Sequence, residues 1–238
     1  MADGGEPSLG QLRRAGSRAV QFNVPMDAER VEWIAAFLNG ATSILDLGCG
    51  RAALLLACLV RSPATRGFGL DNDPAMIELA RAAAEDARLG ERARFELTDL
   101  STGDLVSSAE ADAVMGIGVT HAFGSLRAQY RAMAAGQATE AVVGASIWER
   151  HPPDDLRSMF GRLPRDTVGL GMRATAAGWT VVDAGTSSEE EWDTFEAAWV
   201  AGVRSVGTAA AADFADRREA LSRRYRGTLG FGWLLLRR

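Results

Sequence analysis

The strongest constraint in this chain is an alternation. Short apolar runs take turns with helix-period segments through residues 26–148. Ser43–Leu47, Gly67–Leu70, Ala93–Leu97, Ala111–Ile117 and Glu140–Trp148 have the length and composition of strands buried on both faces. Between and before them, Met26–Leu38, Ala52–Val60, Asp73–Leu89 and Ser125–Ala135 carry helical spacing. Asp73 before Pro74 reads as an N-cap followed by proline at the first helical position. Parallel strands need crossovers, and helices supply them. The pattern therefore predicts an α/β fold with a doubly wound, Rossmann-like, mostly parallel sheet of seven strands and helices on both faces.

The last third adds helices at Asp154–Arg162 and Asp166–Ala177, then a strand in Trp179–Ala184. Two long helical patterns follow, Glu189–Val206 and Ala209–Arg226, before a final strand at Gly230–Leu236. Residues 187–228 thus form a helical insertion, or lid, before the last strand. Residues 21–238 are expected to be one domain. The Gly- and acid-containing start leads residues 1–20 to be read as a disordered tail.

Composition excludes several classes. The net charge is −5 with mixed signs, which gives no field to gather nucleic acid. No run of eighteen uncharged apolar residues is present, so no membrane span is expected. Nor does the N-terminus have the apolar core of a secretory signal. The two cysteines, Cys49 and Cys58, lie close together in a turn-helix unit and suit a reducing, cytoplasmic setting. No ligand cluster at metal-binding spacing stands out.

In an open α/β sheet, ligands bind beyond the carboxyl ends of the strands. The first strand ends in Asp46-Leu47-Gly48-Cys49-Gly50, a turn that lets a ligand approach the backbone closely. Asp71 ends the second strand, about twenty residues on, where an acid reaches ribose hydroxyls. Asp99 follows the third strand, placed to accept from an adenine amino group. Ala53 stands where a dinucleotide fingerprint has its third glycine, so spacing alone leaves NAD open. A carboxylate at the turn itself repels a pyrophosphate and suits an ammonium group, which favours S-adenosylmethionine (SAM).

This set resembles the class I SAM-dependent methyltransferases, across roughly residues 40–150. The likeness rests on Leu45 to Gly50, Gly69-Leu70-Asp71-Asn72-Asp73-Pro74-Ala75-Met76, and Asp99. It implies that Asp46, Gly48 and Gly50 border the methionine part of SAM and that Asp71 binds the ribose. Asn72, Met76, Asp99 and Leu100 then surround the adenine, and Gly116 completes the cofactor set. Arg51, before the small residue Ala52, departs from the usual turn. More of the chain is similar to a narrower bacterial group of small-molecule methyltransferases. The stretches are Gly116 to Gly124, Trp148-Glu149-Arg150, Glu191 through Trp199, and Leu229 to Trp233.

Methyl transfer is an in-line displacement that depends on positioning; a hydroxyl acceptor also needs a base. His121 and His151 are the two histidines. His121, after the fourth strand, is a candidate general base or acceptor-orienting group, with helix capping as the plain alternative. His151 precedes Pro152-Pro153 and suits a rigid turn. Glu149, after the fifth strand, is a second catalytic candidate, able to bind an amine or to form a salt bridge. Phe22, Phe123, Trp148, Trp192, Trp199 and Tyr225 are candidates to line the acceptor pocket, although a stripe such as Trp192, Phe195 and Trp199 also suits plain core. The expected activity is methyl transfer to a nitrogen or oxygen of a small molecule, in specialised metabolism. Other SAM chemistry such as cyclisation, a non-catalytic SAM-binding protein and an NAD oxidoreductase remain alternatives.

Overall fold

The computed structural model describes residues 6–102 and 110–238. Its strands are β1 Ser43–Leu47, β2 Arg66–Asp71, β3 Ala93–Leu97, β4 Ala113–Ile117, β5 Glu140–Trp148, β6 Thr180–Thr186 and β7 Leu229–Arg237. They form one seven-stranded sheet in the order β3-β2-β1-β4-β5-β7-β6. The pairs among β1 to β5 are parallel, and β7 runs antiparallel to both β5 and β6. The expected doubly wound, mostly parallel sheet is what forms.

The helices are α1 Leu9–Ala19, α2 Ala28–Phe37, α3 Ala53–Arg61, α4 Pro74–Asp86, α5 Leu126–Ala135, α6 Asp154–Phe160, α7 Thr167–Thr175, α8 Glu189–Arg204 and α9 Ala209–Tyr225. Local signals start them. The side chains of Asp73, Ser125, Asp166 and Ser188 each accept a backbone N–H from the first turn that follows.

Side-chain alternation splits the core into two layers, one on each face of the sheet. Ile44 and Met115 pack with Ile34, Leu55, Leu59 and Ile77 on one face. Leu45, Leu47 and Val114 pack with Tyr130, Met133, Leu170 and Trp179 on the other. Central strands β1, β4, β5 and β7 are almost wholly buried, whereas edge strand β6 is exposed along most of its length. The carboxyl ends of β1, β2 and β4 are left open between these layers.

One expectation is corrected. Residues 9–19 are not a tail but the helix α1, started by a reciprocal capping box between Ser8 and Gln11. Leu12 and Gly16 are buried against the insertion, in a cluster with Trp199, Val200 and Val203 of α8 and Ala211 and Ala215 of α9. Gly16 is what permits this: a Cβ there would lie 2.4 Å from the Trp199 ring. Residues 1–5 lie outside the described residues.

α8 is also tied to the body of the molecule. The buried Glu191 carboxylate accepts from Arg30 Nε and Nη2 at 3.3 and 3.1 Å and from Asp27 N at 3.3 Å. Just before α8, Ser187 Oγ donates to Pro25 O at 2.6 Å and accepts from Trp233 Nε1 at 2.8 Å. No described helix is long and apolar enough to cross a membrane.

Candidate functional site

Where β1 ends, the chain turns through Gly48 at φ +70°, a conformation that disfavours any Cβ. A side chain there would also stand 2.7 Å from Val119 Cγ2, so the turn is pressed against the loop after β4. Cys49 N donates to Leu70 O at 2.9 Å and Gly50 N to Asp71 Oδ2 at 2.8 Å. Asp71 Oδ1 accepts from Asp73 N at 2.9 Å. One carboxylate thus stitches the glycine turn to the start of α4. A carboxylate offers about four acceptor sites, so Asp71 retains capacity for two further donors.

Asp46 is buried, 7% exposed. Burial, with the nearby Asp71 charge second, raises its pKa to about 7. Burial also pushes the Cys49 thiol well above its usual range, with Asp46 and Asp71 adding to the rise. Cys58 is raised to about 12, chiefly by burial. Neither thiol is poised as a nucleophile.

Asp46, Gly48, Cys49, Gly50 and Asp71 border a cavity of about 340 Å³ at the carboxyl edge of β1, β2 and β4. Of the sequence candidates, Phe22, Asp46, Gly48, Gly50, Asp71, Asn72, Met76, Leu100 and His121 line it. His121 sits on a single 3₁₀ turn, Thr120–Phe123, directly after β4. That turn is anchored by Gln129, a fully buried α5 residue that sequence reading missed. Gln129 Nε2 donates to Gly116 O at 2.8 Å, and Thr120 Oγ1 donates to Gln129 Oε1 at 2.7 Å.

Other candidates stand elsewhere. Gly116 is buried behind the cavity wall, where its carbonyl serves Gln129. Asp99 lies between the lining residues Thr98 and Leu100 but is itself exposed. Its Oδ1 accepts from Ser101 N at 2.9 Å, and hydrogen bonding from Ser101 lowers its pKa. Phe123 packs against the α5 and α7 layer of the core.

Glu149 is not at this cavity. Gly144 of β5 pairs with Ile117 of β4. Glu149 is five residues further, roughly 16 Å along an extended chain at ~3.3 Å per residue. It borders a second, smaller cavity of about 90 Å³ with Trp192, Glu196 and Tyr225. Burial, then the Glu189 charge, raises its pKa.

Three of the aromatic candidates are core. Trp148 packs with Leu156, Tyr225 and Leu229. Trp199 is buried against Gly16, with the Arg218 guanidinium 4.3 Å from its ring centroid. Tyr225 donates from its hydroxyl to Glu196 Oε1 at 2.5 Å, while Arg218 Nε and Nη2 donate to the same carboxylate at 2.7 Å each. Large aromatic area is more useful closing the insertion onto the sheet than exposed to a pocket. Trp192 bridges two core clusters, and its Nε1 is buried without a hydrogen-bond partner.

Sequence reading also passed over part of the roof of the main cavity. Arg13, Arg14 and Ser17 of α1 and the following Gln21 line it, next to Phe22, Asn23 and Val24 of the Phe22–Pro25 segment, which the sequence does mark as a candidate lid over SAM. A tail assignment hides such residues, and only the Ser8-to-Gln11 capping spacing signals a helix there.

Residues 44–136, which contain the glycine turn, Asp71 and His121, match the family described as "Methyltransferase domain". Over these residues the chain is similar to that family. Two curated relatives match shorter stretches. Release factor glutamine methyltransferase of Caulobacter vibrioides is 40% identical over 63 residues, covering 26% of this chain and 22% of that protein. Trans-aconitate 2-methyltransferase of an Enterobacter species is 43% identical over 51 residues, covering 21% and 20%. The chain therefore spans about a fifth of the length of these relatives. Among solved structures, a SAM-dependent methyltransferase from Geobacter sulfurreducens in complex with S-adenosylhomocysteine superposes with a TM-score of 0.81 at 22% identity, covering 95% of this chain and 98% of that one. That likeness extends the shared fold well beyond residues 44–136.

Proposed function

We propose that this chain transfers a methyl group from SAM to a nitrogen or oxygen of a small molecule in the cytoplasm, without nucleic-acid or membrane partners. The observation that carries the reading is the cavity where the glycine turn, Asp71 and His121 meet within the methyltransferase domain. When bound, SAM supplies a methyl on a sulfonium; the methyl carbon bonds to the acceptor as its bond to sulfur breaks, and sulfur keeps that electron pair. The chain's own contribution is placement and exclusion of water.

Asp71, with two lone-pair sites spare, accepts from the ribose hydroxyls. Asp46 faces the ammonium group, and Gly48 admits the amino-acid part against bare backbone. Asn72, Met76 and Leu100 flank the adenine, with Asp99 at its edge. His121 orients the acceptor and, for a hydroxyl acceptor, takes its proton. The α8–α9 insertion, residues 187–228, serves as a lid through α1, which it packs against and which lines the cavity. In support, Phe22, Val24 and Met26 border both the main cavity and a neighbouring one lined by Ser188, Glu190 and Thr194 at the start of α8.

Thermal-shift titration with SAM, S-adenosylhomocysteine and NAD tests the cofactor. A ligand at a hundred times its Kd stabilises by about 2.7 kcal/mol. Stabilisation by NAD and not by SAM overturns the reading. An acceptor screen that reads S-adenosylhomocysteine release tests the chemistry; release of methylthioadenosine instead would assign a different group transfer.

A further inference from the structure

The main cavity is polarised. Its floor carries Asp46, Asp71 and Asp73, while its roof carries Arg13 and Arg14. Among the described residues, neither arginine has an ion pair or a hydrogen bond. That contrasts with the insertion above the sheet, where Arg204, Arg217, Arg218, Arg223, Arg224 and Arg226 are all paired with carboxylates. Two exposed arginines that line one ligand-sized cavity, with no carboxylate among the described residues to meet them, offer a site for an anion from outside.

The helix that carries them is held in one orientation. Leu12, Gly16 and Ala19 form its α8 face. A Cβ on Gly202 of α8 would lie 2.3 Å from Ala19 Cβ and 2.7 Å from Ala15 O, so the two helices cross in direct contact. The opposite face of α1 presents Arg13, Arg14 and Ser17 to the cavity. Ser17 is four residues from Arg13 and three from Arg14, so the three share that face. At the far end of α1, Arg51 Nη1 donates to Arg18 O and Val20 O at 3.3 and 3.4 Å. The residue that departs from the family's glycine turn is thus what fastens the turn to the C-terminal end of α1, where a cation is favoured. Arg51 is occupied in that role, and the two arginines one turn earlier are left for ligand.

The cofactor's own carboxylate has another seat. It lies next to the ammonium group, beside the glycine turn, and the turn leads straight into α3, whose first residues Ala53 and Leu54 line the cavity. The N-terminus of α3 has no side-chain cap, so its amides are available to a carboxylate.

We propose that Arg13 and Arg14 form the acceptor subsite of this methyltransferase and select a small molecule bearing a carboxylate. This inference rests on the proposed function, because it assumes that the rest of the cavity holds SAM. It also gives α1 a role: the helix brings the acceptor's charge to the roof while the reacting atom points down toward His121.

The test is isothermal titration of the protein saturated with S-adenosylhomocysteine, using benzoate, succinate and citrate, with trimethyl citrate as an uncharged control. The wild-type protein should bind at least one of the three anions and not trimethyl citrate, with affinity that falls as salt rises. The double variant Arg13→Gln/Arg14→Gln should lose at least about tenfold in that anion affinity. Its affinity for S-adenosylhomocysteine should stay within about threefold of wild type, and a thermal melt with that ligand present checks its folding. If S-adenosylhomocysteine affinity falls tenfold instead, the arginines hold the cofactor's carboxylate and the proposal fails. If none of the anions binds the loaded wild-type protein, the proposal also fails. Failure of the wild-type protein to bind S-adenosylhomocysteine at all is a separate result, and it sinks the functional reading rather than this subsite alone.

Discussion

Asp46 is a carboxyl group sealed at the end of β1, and its titration should be visible in the stability of the whole chain. Its pKa is raised from 3.8 to about 7, first by burial and then by Asp71. An acid with a raised folded-state pKa binds more protons folded than unfolded between those two values. Stability therefore falls as pH rises through that window, and the loss is complete above about pH 7. Each pKa unit corresponds to about 1.36 kcal/mol, so the full shift is worth about 4 kcal/mol. Between about pH 5 and about pH 8 the expected loss is about 3 kcal/mol. Other groups titrate over the same range, so the useful quantity is a difference. Asp46→Asn is neutral throughout, and its stability relative to wild type should rise by about 3 kcal/mol from the lower pH to the higher. Urea unfolding of both proteins at the two pH values measures this. A difference that stays flat across the range would refute the reasoning. The same carboxyl should release its proton when S-adenosylhomocysteine brings an ammonium group beside it. Calorimetry below pH 7, in two buffers of different ionisation enthalpy, should record that proton.

Three further perturbations follow from the geometry. Gly48→Ala places a Cβ 2.7 Å from Val119 at φ +70° and should cost about 2–4 kcal/mol by urea unfolding, with loss of S-adenosylhomocysteine binding by calorimetry. Gln129→Leu strips the Gly116 carbonyl and the Thr120 hydroxyl of their partner and should cost about 1–3 kcal/mol in the same assay; a neutral result would mean that the His121 turn does not depend on Gln129. Gly202→Val drives a side chain into Ala19 and should cost about 1–3 kcal/mol. Its signature is early proteolysis within α1, at a protease concentration that leaves the wild-type helix intact.

Much of the fold was legible because it is written in short-range patterns. The apolar runs of β1, β4 and β5 and the caps at Asp73, Ser125, Asp166 and Ser188 lie within a few residues of the contacts they specify. The cavity floor was legible for a related reason. Glycine turns and strand-end acids fall at fixed positions once the strands are placed, so Gly48, Gly50 and Asp71 were found together. The aromatic residues were harder. Trp148, Trp199 and Tyr225 have the spacing of either a pocket wall or a core, and only the docking of α8 and α9 decided for core. α1 was missed because its burial depends on partners some 180 residues away. Gly16 has no local pattern that announces a tryptophan ring against it.

The sequence by itself determined the sheet, its helical crossovers and the Asp46–Gly50 turn that locates the cavity floor. Tertiary structure alone decided the roof. It brought Arg13 and Arg14 to the same cavity as Asp46 and Asp71, held α1 on α8 through two glycines, and placed His121 at the cavity while sending Glu149 to another. The reason is range. A strand or a cap is specified by its neighbours in the chain, whereas a roof is specified by which helices close over which strand ends, and that depends on long-range packing.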